Sequence, residues 1–236
     1  MNPDAVANKM TAALMFAVAL ILPQSTMAKD AVQSREYPQA AFAGVSVHIP
    51  ADIEIRPAPR NSVTVSAELK VLQALRLSVR NGVLNLDSGS YQTTQPVKIL
   101  VEGKPISSLA IQSSGTITVR EPSMAGFTLT SDSSADVFLE GINGDSLKLE
   151  LNGSETVKIN GKVQRFELKV EGSSSVDASR LLAQSVSATA SGASTVNVNA
   201  VADLRAIASE SATLKYRSSG RVKKQSSDAA EIVKIN

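Results

Sequence analysis

The sequence predicts an all-β chain wound as a single-domain, right-handed parallel β-helix, and three observations carry that prediction. A short motif recurs down the C-terminal half at a near-constant interval. Apolar residues flanking it alternate with polar ones. Each position of the motif keeps its residue type from copy to copy. The motif is two or three small polar residues, a hydroxyl or acid, then an aliphatic. Its seven copies end on Ile117, Val137, Val157, Val176, Val196, Leu214 and Ile232, at intervals of 20, 20, 19, 20, 18 and 18 residues. A period that short is the mark of a solenoid, in which one coil cannot bury its apolar face alone.

Columns counted from the final aliphatic define the strands. Eight residues upstream stand Leu109, Leu129, Leu149, Leu168, Ala188, Ala206 and Lys224, and two residues downstream stand Val119, Leu139, Ile159, Ala178, Val198, Tyr216 and Lys234. Segments such as Leu147-Lys148-Leu149-Glu150-Leu151 and Thr156-Val157-Lys158-Ile159-Asn160 alternate with a period of two. That is a half-buried strand, not a helix. Each copy therefore reads strand, small polar turn, strand, then a short second connection. Three residues before the aliphatic come Ser114, Ser134, Ser154, Ser173, Ala193, Ser211 and Ala229. Hairpins would not need one residue type in that column. Parallel coils stacked ~4.8 Å apart would, because a tight corner admits only small side chains in line. This column is expected to be crowded by the coils above and below.

Taken in order, residues 1–28 read as a secretory signal peptide. Lys9 precedes the apolar run Thr11–Leu22, Pro23 follows it, and Thr26-Met27-Ala28 supplies a small-x-small cleavage pattern. The run is shorter than the ~20 residues of a membrane-spanning helix. Residues 29–40 are polar and read as a flexible lead-in. Residues 41–106 keep the strand signal while the period weakens: Val45, Val47 and Ile49 alternate, as do Ile53 and Ile55, Val63 and Val65, and Leu75, Leu77 and Val79. Asn81-Gly82 between two such runs is a two-residue hairpin signal. This segment reads as an N-terminal cap of the same solenoid. Residues 107–236 form the repeats and end in a basic cap of Lys215, Arg217, Arg221, Lys223 and Lys224, with Lys224 and Lys234 standing in otherwise apolar columns. A solenoid needs such a polar end.

Phe42-Ala43-Gly44-Val45-Ser46-Val47 opens the domain, Gly-Ser/Ala-Ser-Thr-Val corners recur, and Leu214-Lys215-Tyr216-Arg217-Ser218-Ser219-Gly220 precedes the basic stretch. Together these resemble the autotransporter-adhesin, head-GIN-domain family of exported bacterial β-helical proteins. The resemblance implies a β-helix over nearly all the mature chain and an adhesin-like role, and it carries over no catalytic residue. The family commonly has Gly at the third corner residue. Here that residue is Gly115, Ala135, Glu155, Ser174, Ser194, Ala212 and Ala230.

The chemistry on offer is sparse. The 236 residues hold no Cys, no Trp and a single His, with a formal charge of +2. One histidine allows neither a metal-binding pair nor a repeated acid–base unit, and His48 falls on the polar face of a strand. The corner serines lack an adjacent base. Near-balanced charge argues against a nucleic-acid partner, and the basic run reads as a solvated end. Asp132 and Asp136 share a corner, with Glu155 and Glu171 on the following coils, and all four read as solvated turn acids. No catalytic, cofactor-binding or metal-ligating residue is assigned, although a Ca²⁺ ion at Asp132/Asp136 stays open. The reading is an exported, non-enzymatic envelope protein, periplasmic or at the cell surface, an adhesin-like or structural module that presents a rigid, repeated surface of Ser, Thr, Asn and Asp to a glycan or protein of the envelope or of a host surface. It has two alternatives. One is a carbohydrate-active enzyme (a polysaccharide lyase or hydrolase) on the same scaffold; the other is a self-assembling subunit of a surface structure.

Overall fold

The computed structural model describes residues 31–236, so the signal peptide read over 1–28 lies outside the described residues. The chain is nearly all β, with 65% strand and 3% helix, coiled as a solenoid of about six turns. The N-terminal part contains β1 (Val32–Pro38), β2 (Gly44–Val47), β3 (Asp52–Pro57), β4 (Ser62–Glu68), α1 (Leu69–Ala74), β5 (Leu75–Arg80), β6 (Val83–Ser88) and β7 (Lys98–Gly103). The coils continue through β8 (Ser108–Ile111), β9 (Thr116–Arg120), β10 (Phe127–Ser131), β11 (Asp136–Leu151) and β12 (Thr156–Val170). They end with β13 (Ser175–Ala190), β14 (Thr195–Ala208), β15 (Thr213–Ser218), β16 (Arg221–Ser226) and β17 (Glu231–Lys234).

Like columns stack in parallel, as the recurring residue types require. Ile117 pairs with Val137, Val137 with Val157, Val157 with Val176, Val176 with Val196, and Val196 with Leu214. Val137, Val157, Val176, Val196 and Leu214 are all fully buried. Burying each is worth ~1.5–3 kcal/mol, and Lys158, one residue from Val157, is exposed. Strands β11 to β14 each finish one coil and begin the next, so the expected second connection is a kink within a strand. The register shifts there, as between Leu139 and Ile142. Gly161 takes a φ of +134° at the kink, and a Cβ on it would run into the Ile142 carbonyl. Only glycine fits such a position.

The N-terminal cap reuses the coil in a different chain order. β6 and β7 follow β2 and β3 in sequence but lie beneath them in the stack, β6 parallel to β2 and β7 parallel to β3. β8 and β9 then pair with the other sides of β2 and β3. Antiparallel strands close this end: β5 pairs with β6 through Asn81 (φ +51°) and Gly82 (φ +75°), the turn the dipeptide announces. α1, which the strand periodicity did not suggest, places Val71 and Leu72 in the core. The stretch read as a flexible lead-in over 29–40 contains β1, which pairs antiparallel with β4 from Val32/Glu68 to Pro38/Ser62. Its side chains are mostly exposed. Backbone pairing holds it, and that leaves no apolar alternation to read.

Candidate functional site

The alternation of side chains locates what the corners present. From each aliphatic, a residue two positions back shares its parity and must point inward. Ala135, Glu155, Ser174, Ser194 and Ala212 accordingly are almost fully buried. The column one residue earlier, expected to be crowded, is exposed throughout: Ser114, Ser134, Ser154, Ser173, Ala193, Ser211 and Ala229. Small residues stand there because the backbone turns: Ser154, Ser173 and Ala193 donate their N–H groups to Ser133, Gly153 and Gly172 carbonyls of the preceding coil. The reading of a crowded column was one residue out of phase.

That correction relocates Glu155, which read as a solvated turn acid. It is 1% exposed. Its Oε1 accepts the Ser133 N–H at 2.9 Å, and its Oε2 accepts the Gly153 N–H at 3.2 Å and the Ser174 hydroxyl at 2.6 Å. Every partner donates, so a carboxylate answers needs that an alanine in this column would leave open. The other acids stay outside. Asp132 and Asp136 are exposed, and Glu171 pairs with Lys169 at 2.7 Å. The four carboxylates therefore do not converge, and among the described residues no cluster of three or more His, Cys, Asp or Glu could hold a metal ion. His48 is exposed, as read, but sits one residue past the end of β2, with Nε2 2.9 Å from the Ser46 hydroxyl.

Several shallow concavities of similar volume lie elsewhere, one of about 540 Å³ between Ser107 and Glu167 on the repeat coils, and two of them adjoin on the N-terminal cap. Adjacent strands β4, β7, β3 and β9 present two outward rows to a groove of about 530 Å³. One row runs Ser66, Lys98, Asp52, Thr116 and the other Thr64, Leu100, Glu54, Thr118, as the strand registers dictate. Arg120 beside it bonds Glu54 at 2.9 Å and also pairs with Glu140, and the two carboxylates hold its guanidinium above its usual pKa. At the corner, Asp52 also borders a second recess of about 500 Å³, walled by Pro50, Tyr91, Gln92, Gln95 and Pro96. The wall is anchored from behind: Thr93 donates its hydroxyl to Glu68 at 2.8 Å, and Lys70 pairs with the same oxygen at 2.9 Å. These two contacts hold the buried Glu68 carboxyl below the usual range. The Tyr91 hydroxyl is buried, with no hydrogen-bond partner in good geometry among the described residues, and burial pushes its pKa up against a weaker opposing effect of Ser88.

The same sheet face continues as a ladder of hydroxyls interrupted by one carboxylate: Thr116, Asp136, Thr156, Ser175, Thr195 and Thr213 lie in register. At the far end Lys224 and Lys234 sit in the columns of Ala206 and Tyr216, both exposed. Lysines on terminal strands discourage edge-to-edge pairing. Sequence reasoning missed the groove because its rows draw on residues as far apart as Asp52 and Thr118 and include an antiparallel strand outside the repeat.

Comparison with solved structures places the fold. A crystal structure of a putative adhesin from Bacteroides fragilis NCTC 9343 superposes with a TM-score of 0.79 at 16% identity, over 87% of this chain and 97% of that one. A putative lipid binding protein from Parabacteroides distasonis ATCC 8503 gives 0.71 at 18% identity, again over 87% and 97%. A putative adhesin from that same strain gives 0.66 at 13% identity, over 87% and 98%. Identities this low speak to the fold alone. No protein of curated function matches the sequence. A family model described as "Putative auto-transporter adhesin, head GIN domain" matches residues 41–220, and the chain belongs to that family.

Proposed function

We propose that this protein is an exported, non-catalytic, adhesin-like binding module of the cell envelope. The observation that carries the reading is the groove about Asp52, a concavity on a stacked sheet whose lining mixes hydroxyls, carboxylates, amides and a lysine with the apolar Leu100, Tyr91 and Pro96. Binding residues gain precision when strands rather than mobile loops hold them. Export rests on the apolar leader and cleavage pattern of residues 1–28. Among the described residues no helix is long and apolar enough to cross a membrane. The family's adhesin label agrees with a role at the envelope.

The burial of Glu155 weakens the enzyme alternative, because that reading drew on stacked corner acids and one of them now belongs to the interior. A pair of carboxylates cutting a glycosidic bond stands ~5–9.5 Å apart across an open cleft. Incubating the mature chain with polysaccharides, while measuring both retention and product, tests the reading. Retention without new reducing ends or unsaturated products is expected. Product that disappears on Asp132→Asn or Asp136→Asn would establish the enzyme instead. Protease digestion of intact cells then separates a surface location from a periplasmic one.

A further inference from the structure

The groove's own chemistry narrows what it can hold. Its charged members nearly cancel: Asp52 and Glu54 are acidic, Lys98 is basic, and Arg120 already bonds Glu54. A polyanion or polycation would meet no matching field there. Leu100 is the one aliphatic of the outward rows, and Ile53 and Ile99 on the floor are 3% and 2% exposed, so the groove offers an acyl chain no continuous apolar channel. An extended peptide could not add a strand either. Each of the four strands already has neighbours on both sides: β4 lies between β1 and β7, β7 between β4 and β3, β3 between β7 and β9, and β9 between β3 and β11. Backbone edges are what strand addition needs, and here only side chains face the ligand.

What faces it is suited to hydroxyl groups. Among the described residues no ion pair joins Asp52 to its register partner Lys98, so carboxylate and ammonium are both free to bind. A carboxylate accepts from a ligand hydroxyl, an ammonium donates to one, and the Gln92 and Gln95 amides do either. Leu100 in the groove and Tyr91 in the adjoining recess offer apolar surface to the C–H face of a sugar ring. Each concavity has the volume usual for small-ligand sites, and four strands ~4.8 Å apart give room for more than one ring. We infer that the groove, continuing past Asp52 into the recess beside Tyr91, binds a neutral oligosaccharide. This rests on the binding-module reading and assigns it a place and a ligand class.

The probes are immobilised neutral tetrasaccharides of hexose and N-acetylhexosamine, with polyuronates and anionic phospholipid vesicles beside them. Parent chain, Asp52→Ala, Leu100→Arg and the remote control Lys148→Ala are applied after circular dichroism shows each to be folded. Retention on one or more neutral tetrasaccharides is expected. Asp52→Ala should weaken it at least tenfold, Leu100→Arg should abolish it by filling the groove, and Lys148→Ala should leave it unchanged. Neutral-sugar binding untouched by both groove variants would overturn the site while the binding-module reading survived. Binding confined to polyuronates or vesicles would overturn the ligand class. Product formation, or no retention on any probe, would overturn the inference, and the former would also remove the reading beneath it.

Discussion

Replacing Glu155 by Gln changes one heavy atom and isolates what the buried carboxylate does. Its two oxygens accept three hydrogen bonds, from Ser133 N–H, Gly153 N–H and the Ser174 hydroxyl. The better orientation of a glutamine keeps its oxygen where Gly153 and Ser174 donate. Its NH₂ group then confronts the Ser133 N–H, so one bond is lost and two donors face each other. A hydrogen bond to a charged group is worth ~1.5–3 kcal/mol, and a domain of this size loses ~2–4 °C per kcal/mol. A fall in melting temperature of ~3–12 °C is therefore expected by differential scanning calorimetry. Ser174→Ala should be destabilising alone yet add less than its own cost when combined with Glu155→Gln, because Ser174 then bonds a neutral amide oxygen in place of a carboxylate. A Glu155→Gln chain melting at the parent temperature would show that the corner does not depend on a carboxylate.

Three further outcomes follow from the packing. Val157→Asp forfeits ~1.5–3 kcal/mol of apolar burial and leaves an unpaired buried charge, so no cooperative unfolding transition should remain, whereas Lys158→Asp should melt within a few degrees of the parent. Ser154→Trp, on the exposed corner column, should be tolerated, while Ser194→Trp, one parity step away and 1% exposed, should not fold; equal melting temperatures would refute the phase assigned to the corners. Glu68 has its carboxyl held below the usual range by Lys70 and Thr93. Its contribution to stability is thus fully present above the unfolded value of about 4.3 and fades as pH falls through the lower folded value. Protection factors in the Tyr91–Gln95 wall, corrected for intrinsic exchange, should fall over that acid range, and Glu68→Gln should remove that fall.

The repeated half of the fold was legible because Val137, Val157, Val176 and their companions recur at a spacing that only stacked coils explain. The corner phase was not, since Ser and Ala fit equally well inside or outside, and identity alone could not choose between Ser154 and Ser194. Glu155 went unrecognised because an acid at a turn is ordinarily solvated. Its partners are backbone N–H groups of its own and the preceding coil and a serine of the following one. In the cap, β6 and β7 slot beneath strands that precede them in sequence, an order that no local pattern encodes. The groove inherits that difficulty: its rows join Thr64, Leu100, Glu54 and Thr118 through registers fixed only in three dimensions.

Binding without turnover at the Asp52 groove is open to amide chemical-shift mapping with a neutral tetrasaccharide that retains the protein. The same spectra follow the sugar's anomeric signals. Perturbations gathered on Asp52, Glu54, Tyr91, Lys98, Leu100 and Thr118, with anomeric signals constant over days, are the predicted result. Perturbations that leave Asp52, Lys98 and Leu100 unmoved, or new reducing-end signals growing with time, would contradict it.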